Sequence, residues 1–210
     1  MQDSKVMSEY RIALKEKILQ TAMDEFRSKG IKAVKMDDIA AKLSISKRTL
    51  YELYANKEDL LLEGTKKSFE EKRRECQQQA TENISVMDVL IQELRTKMDE
   101  FRITNPLFYS DIEHYPRLLD FLRQEKNANH TLLVQFLHRG EEEGYFCKGL
   151  DYDFIADLMD EQSSLIMSQK MYKNRPMSEV MFNALHMTVR GLCTAKGMEV
   201  IDAFMAKHRS

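Results

Sequence analysis

Apolar residues recur along most of this chain at intervals of three and four, the period of an α-helix with one buried face. Ile12, Ile18, Leu19, Ala22, Met23 and Phe26 mark such a face over residues 8–29, and Gly30 suits the left-handed residue that closes a helix. Ile39, Ala40 and Leu43 predict a short second helix, broken at Ser44-Ile45-Ser46. Ser46 suits the N-cap of a third helix, because its hydroxyl can take up an orphan backbone N–H. Leu50, Leu53 and Tyr54 form that helix's inner stripe, and Asn56 suits the cap of a fourth, running to about residue 80. The fourth helix has few apolar residues beyond Leu60, Leu61, Leu62 and Phe69, so it cannot be buried all round. Its Lys72-Arg73-Arg74 run is flanked by glutamates and reads as a solvated face.

Residues 81–85 form a polar break. The pattern then predicts helices over 86–104, 107–114, 117–140, 153–173, 178–195 and 198–207. Asn105-Pro106, Tyr115-Pro116, Gly144, Asn174-Arg175-Pro176 and Gly197 separate them. No strand alternation, repeat, low-complexity stretch or Gly-rich phosphate loop is present. The expected fold is all-α: a three-helix helix-turn-helix domain over 1–60, then a larger helical body over 61–210.

Composition agrees. Only 7 Gly and 3 Pro occur in 210 residues, and 31% are charged, which favours long helices. The net charge of −2 carries no overall signal for nucleic acid, although residues 1–60 hold 12 Lys+Arg against 10 Asp+Glu. A nucleic-acid contact would therefore have to rest on local charge placement. The N-terminal MQDSKVMSEY lacks an apolar signal core, and no run approaches the ~18–20 apolar residues of a membrane span. Cys76, Cys147 and Cys193 are far apart and odd in number, and lack paired metal-ligand spacing. The expectation is a reduced, cytoplasmic protein with no metal, no cofactor and no membrane partner. No acid/base cluster marks an enzyme.

The chemistry-bearing stretch is 36–60. A helix whose first turns carry Lys47, Arg48, Thr49 and Tyr51 can enter a major groove and reach phosphates and base edges. Arg48 can fork onto guanine O6 and N7, and Lys47 is the second base-reading candidate. Thr49, Tyr51 and Tyr54 suit phosphate contacts, with Tyr54 partly in the core, and Ser46 begins the DNA-binding segment that would enter the groove. Lys57 stands at the positive end of the next helix, and Lys35 precedes the second. Asp37 and Asp38 favour the helix dipole in the first turn of the second helix. Glu52 faces the same side as Arg48 and has no evident role.

The stretch KMDDIAAKLSISKRTLYELYANKEDLL resembles the DNA-binding signature of the TetR family of bacterial repressors. The residues that carry the likeness are Gly30, Ile39-Ala40, Thr49-Leu50-Tyr51, Tyr54 and Lys57, within about 12–62. Two positions depart from the family pattern. Val34-Lys35 stands where Thr or Ser often caps the second helix, and Ser44 stands where Gly is common. If Ser44 keeps a positive φ, it costs on the order of 1 kcal/mol against glycine.

The resemblance implies a homodimer on double-stranded operator DNA, with a small-molecule effector in the body releasing the repressor. It also implies a connecting fourth helix and dimerisation through the last two long helices. Candidate interface residues there are Leu158, Leu165, Ile166, Met181, Leu185, Val189 and Leu192. The 14 Met, 10 Phe and 8 Tyr suit an adaptable apolar pocket or an ordinary core. Phe101, Phe108, Tyr109, His114, Tyr115, Phe121 and Met159, near helix breaks, are the effector candidates. Cys147 is a redox-sensor candidate or inert packing. Two other readings stay open: a transcriptional activator, and a helix-turn-helix used for non-specific DNA or protein contact.

Overall fold

A computed structural model describes residues 2–81 and 84–208, with side chains over 9–75 and 84–207; the side chain of Cys76 lies outside the described residues. The described residues form ten α-helices: α1 (Gln2–Lys29), α2 (Met36–Lys42), α3 (Lys47–Leu53), α4 (Lys57–Thr81), α5 (Val86–Ile103), α6 (Pro106–Asp111), α7 (Pro116–Glu142), α8 (Tyr152–Ser168), α9 (Met177–Leu192) and α10 (Ala195–His208). A single 3-10 turn, Ile112–His114, joins α6 to α7, and one isolated bridge, Phe146 to Cys193, is the only extended pairing among them. The fold is all-α, as the periodicity predicts.

Packing divides the chain into two compact units, one of residues 1–75 with 104–122, the other of 76–103 with 123–210. In the first, Ile18, Ala22, Phe26, Ile31, Ile39, Leu50, Leu60 and Leu61 are fully buried in one core, to which Leu118 also belongs. This unit therefore takes in 61–75 and 104–122 beyond the expected boundary at residue 60. Three backbone features hold its loops. Gly30 has φ +86° and donates to the Phe26 carbonyl at 2.9 Å, closing α1. Ser44 has φ +53°, and the Ile45 and Ser44 N–H groups bond the Ala40 and Ala41 carbonyls at 3.0 and 3.1 Å. That is a Schellman closure of α2 with serine in the left-handed position, so the conditional expectation for Ser44 is met. Ser46 caps α3, its Oγ accepting from the Thr49 N–H at 3.0 Å, and Asn56 Oδ1 does the same for Asp59 at 2.9 Å.

The second unit buries Val86, Met87, Leu94, Leu137, Phe146, Tyr152, Val189, Leu192, Ile201 and Phe204. The turn after α7 is tied to the end of α9: Cys147 N–H donates to Leu192 O at 2.8 Å, and Thr194 N–H to Tyr145 O at 2.9 Å. Phe146 reaches the core only because position 140 is glycine; a Cβ there would stand 2.0 Å from its ring.

Two expectations need correction. Ile12 is 59% exposed, and the neighbouring residues 9–13 of α1 are exposed with it. The helix expected over 153–173 ends at Ser168: Lys170 turns left-handed at φ +49°, and the Met171 N–H bonds Ile166 O at 3.1 Å. This is a second Schellman closure on a non-glycine residue, followed by a turn that buries Tyr172.

Candidate nucleic-acid interface

The outer face of α3 follows from its inner one. Leu50 is fully buried and Leu53 partly so, which turns Lys47, Arg48, Tyr51 and Glu52 outward, all four exposed. Thr49 is half-buried, and its hydroxyl shares a 2.8 Å hydrogen bond with that of Ser46. The cations are already paired in the free chain. Lys47 Nζ donates to Asp37 Oδ2 of α2 at 2.5 Å, and Arg48 Nε to Glu52 Oε1 at 2.8 Å. Each carboxylate raises the pKa of its partner through that hydrogen bond, so both cations stay charged. Asp37 thus bridges the two helices of the motif, a pairing that the spacing of ten residues does not announce.

Lys35 is exposed at the N-cap of α2, where it makes no side-chain cap. Its backbone N–H donates to Asp38 Oδ2 at 3.0 Å, so Asp38 takes up the N-cap residue's own donor, not the helix N–H that a capping hydroxyl would accept. Lys57 looks inward. Its ammonium donates to Ile31 O at 2.8 Å, Val34 O at 2.9 Å and Lys32 O at 3.4 Å, which holds the loop leading to α2. Burial lowers its pKa. A phosphate contact from Lys57 requires the exchange of one of these carbonyls.

Tyr54 is corrected from interface to core. It is 3% exposed, its hydroxyl donates to Glu63 of α4 at 3.2 Å, and Lys15 lies 5.2 Å from its ring centre. Burial pushes its pKa up. Behind the interface, Glu25 is buried between Lys29 and Lys42, joining α1 to α2; its hydrogen bonds, first that from Lys29, hold its carboxyl below the usual range.

The effector candidates do not gather. Phe108, Tyr115 and Phe121 pack on the core of the first unit, with Phe121 edge-on to Phe69 at 5.5 Å. Tyr109 stands edge-on to Phe108, and His114 Nε2 lies 3.0 Å from Lys32 Nζ. Phe101 and Met159 belong to the second unit. An open cleft of about 360 Å³ in the first unit is lined by Tyr54, Asp59, Glu63, Lys66 and Arg117 among others, and by none of the seven.

The interface candidates on α8 and α9 separate by burial. Ile166, Met181, Val189 and Leu192 are buried within their own chain, and Leu185 is partly buried, so the first four are core rather than contact residues. Leu158 and Leu165 are 52% and 55% exposed. Phe154, at 62%, shares their stripe on α8, and Met187 on α9 is 69% exposed. Neither is among the sequence-based candidates, although Phe154 to Leu158 to Leu165 is a regular four-and-seven spacing that marks a second apolar stripe. Cys147 is half-buried and its thiol donates to Cys193 O at 3.4 Å. Among the described residues, no helix is long and apolar enough to cross a membrane.

Residues 18–63 match the family model described as bacterial regulatory proteins, tetR family. No curated protein matches the chain in a sequence comparison. Among solved structures, a TetR-family transcriptional regulator from Marinobacter aquaeolei VT8 is similar at TM-score 0.70 and 20% identity, over 93% of this chain and 98% of that one. A putative transcriptional regulator from Saccharomonospora viridis, solved with choline, is similar at TM-score 0.61 and 17% identity, over 82% and 95%. The ketosteroid regulator KstR2 of Mycobacterium tuberculosis follows at 0.54 and 20%, over 86% and 95%. Residues 18–63 thus match the helix-turn-helix model of the tetR family, and the chain shares the fold of these solved regulators along most of its length.

Proposed function

We propose that this protein is a cytoplasmic, homodimeric repressor that binds a near-palindromic operator and leaves it when a small molecule occupies the body. The observation that carries the reading is the outward cluster on α3: two cations, Lys47 and Arg48, beside Tyr51 on an exposed helix face backed by a buried apolar core. In this reading Lys47 and Arg48 contact base edges, while Ser46, Thr49, Tyr51 and Lys35 fix the phosphate register. Lys57 acts mainly by holding the loop that presents Lys35. A dimer matches two half-sites because its two-fold symmetry is that of the operator.

The dimer assignment is supported by the exposed stripe of Phe154, Leu158 and Leu165 on α8 with Met187 on α9. Three large apolar side chains stand open along one stripe of α8, and Met187 is open on α9. The effector assignment draws on similarity: the Saccharomonospora viridis regulator was solved with choline. Release then requires a ligand that binds the DNA-free state better, and its effect cannot exceed that difference in affinity.

Arg48→Ala tests the DNA reading in gel-shift titrations on an operator and its single-base variants. Direct readout predicts lost discrimination at one base pair per half-site, by about 1–3 kcal/mol. Equal weakening on all sequences would assign Arg48 to phosphate and contradict the reading.

A further inference from the structure

Glu52 is the only carboxylate within α3, and it sits on the exposed face with Lys47, Arg48 and Tyr51. A negative charge on a DNA-facing turn opposes phosphate, so its presence needs a reason. Fold stability does not supply one: the Arg48 and Glu52 side chains are 88% and 56% exposed, and exposed i,i+4 pairs add little. The geometry of the pair does. Glu52 Oε1 accepts from Nε of Arg48 at 2.8 Å, the inner nitrogen of the guanidinium. A bond there favours one orientation of the guanidinium and leaves the terminal Nη1–Nη2 edge, the end-on fork that fits guanine O6 and N7.

We propose that Glu52 is a positioning and specificity-determining residue, which holds Arg48 by Nε so that its terminal edge meets a guanine, and which penalises DNA that offers no such base. The proposal rests on the assignment of Arg48 as a base reader. It also gives a rotamer-rich arginine a preorganised orientation before DNA arrives, which lowers the ordering cost of the contact.

The test measures affinities of the wild type, Arg48→Ala, Glu52→Ala, Glu52→Gln and the Arg48→Ala/Glu52→Ala double variant at fixed salt. The DNAs are a selected operator, each single-base variant, and unrelated duplex. Arg48→Ala should remove roughly tenfold preference or more at one base pair per half-site. Glu52→Ala should lose several-fold preference at that same base pair while binding unrelated duplex more tightly. The double variant should lose no more preference than Arg48→Ala alone. Glu52→Gln, which keeps an acceptor, should retain part of the preference. A uniform gain by Glu52→Ala on every DNA, with the preference intact, would make Glu52 a repulsive charge only and overturn the proposal. A loss at a different base pair would overturn it too, by making Glu52 a reader in its own right. If Arg48→Ala itself leaves every preference intact, the assignment of Arg48 fails first, and that result is distinct from both. Far-ultraviolet circular dichroism melts of each variant separate unfolding from these effects.

Discussion

Gly30→Ala tests the account of how the first unit is held together. Gly30 closes α1 at φ +86°, a region that costs an L-residue about 1–2 kcal/mol. Space is the second difficulty, since a Cβ at position 30 would lie 2.8 Å from Leu107 Cβ and 3.3 Å from Asp111 Oδ2. That contact is part of a seam in which Asn105 N–H donates to Arg27 O at 2.7 Å and Lys32 N–H to Asp111 Oδ2 at 2.7 Å. Overpacking of this kind costs about 1–3 kcal/mol, toward the low end here because Leu107 is 55% exposed and can yield. The expected loss is about 2–4 kcal/mol. For a chain of this size that is a fall in Tm of roughly 4–16 °C. Leu107→Gly removes the opposing Cβ and isolates the steric part; Leu107→Ala would not, because it keeps that atom. Urea unfolding of the two single variants and the double variant forms the cycle, and the double should be more stable than the sum of the singles predicts by about 1 kcal/mol or more. Additivity within about 0.5 kcal/mol, or a Gly30→Ala loss below that size, would refute the described packing of α6 on the end of α1.

Three further predictions use the same unit and its neighbour. Ser44→Gly should raise stability by up to about 1 kcal/mol in urea titration, since Ser44 already holds φ +53°; no gain would mean that the turn is not left-handed in solution. Glu25→Gln should destabilise the protein near neutral pH. Because the folded carboxyl titrates below its ordinary value of 4.5, that contribution is full above 4.5 and fades as pH falls through the folded pKa. The gap between wild type and variant in urea midpoints should therefore narrow on acidification, and a constant gap would contradict the buried bridge to Lys29 and Lys42. Leu158→Glu with Leu165→Glu should convert a dimer to folded monomers in sedimentation velocity, since both side chains are exposed and their loss leaves the core intact. An unchanged dimer would place the interface elsewhere.

Features that depend on a few neighbouring residues were legible in the sequence. Gly30, Ser46, Asn56 and Gly144 each mark the end or start of a helix where expected, because caps and left-handed closures are local chemistry. Lys170 shows the limit: it takes a left-handed closure with no glycine to announce it, so periodicity carries α8 five residues past its end. Side chains whose role depends on a distant partner were not legible. Tyr54 and Lys57 carry the family spacing, yet Glu63 and the carbonyls of Ile31 and Val34 take their polar atoms. Periodicity likewise gives an apolar stripe without saying what covers it. Ile166 and Leu165 are adjacent in sequence, but one is buried at 5% and the other is 55% exposed. The effector candidates lie near helix breaks, and breaks mark chain direction rather than proximity, so they fall in two different units.

Selection of bound DNA from a random pool, with pure protein at fixed salt, tests the central claim most directly. The account predicts enrichment of one inverted repeat whose half-sites are spaced by about one helical turn or a multiple of it. A folded, dimeric preparation that enriches no sequence, before and after unfolding, dialysis and refolding to strip any bound effector, would contradict it.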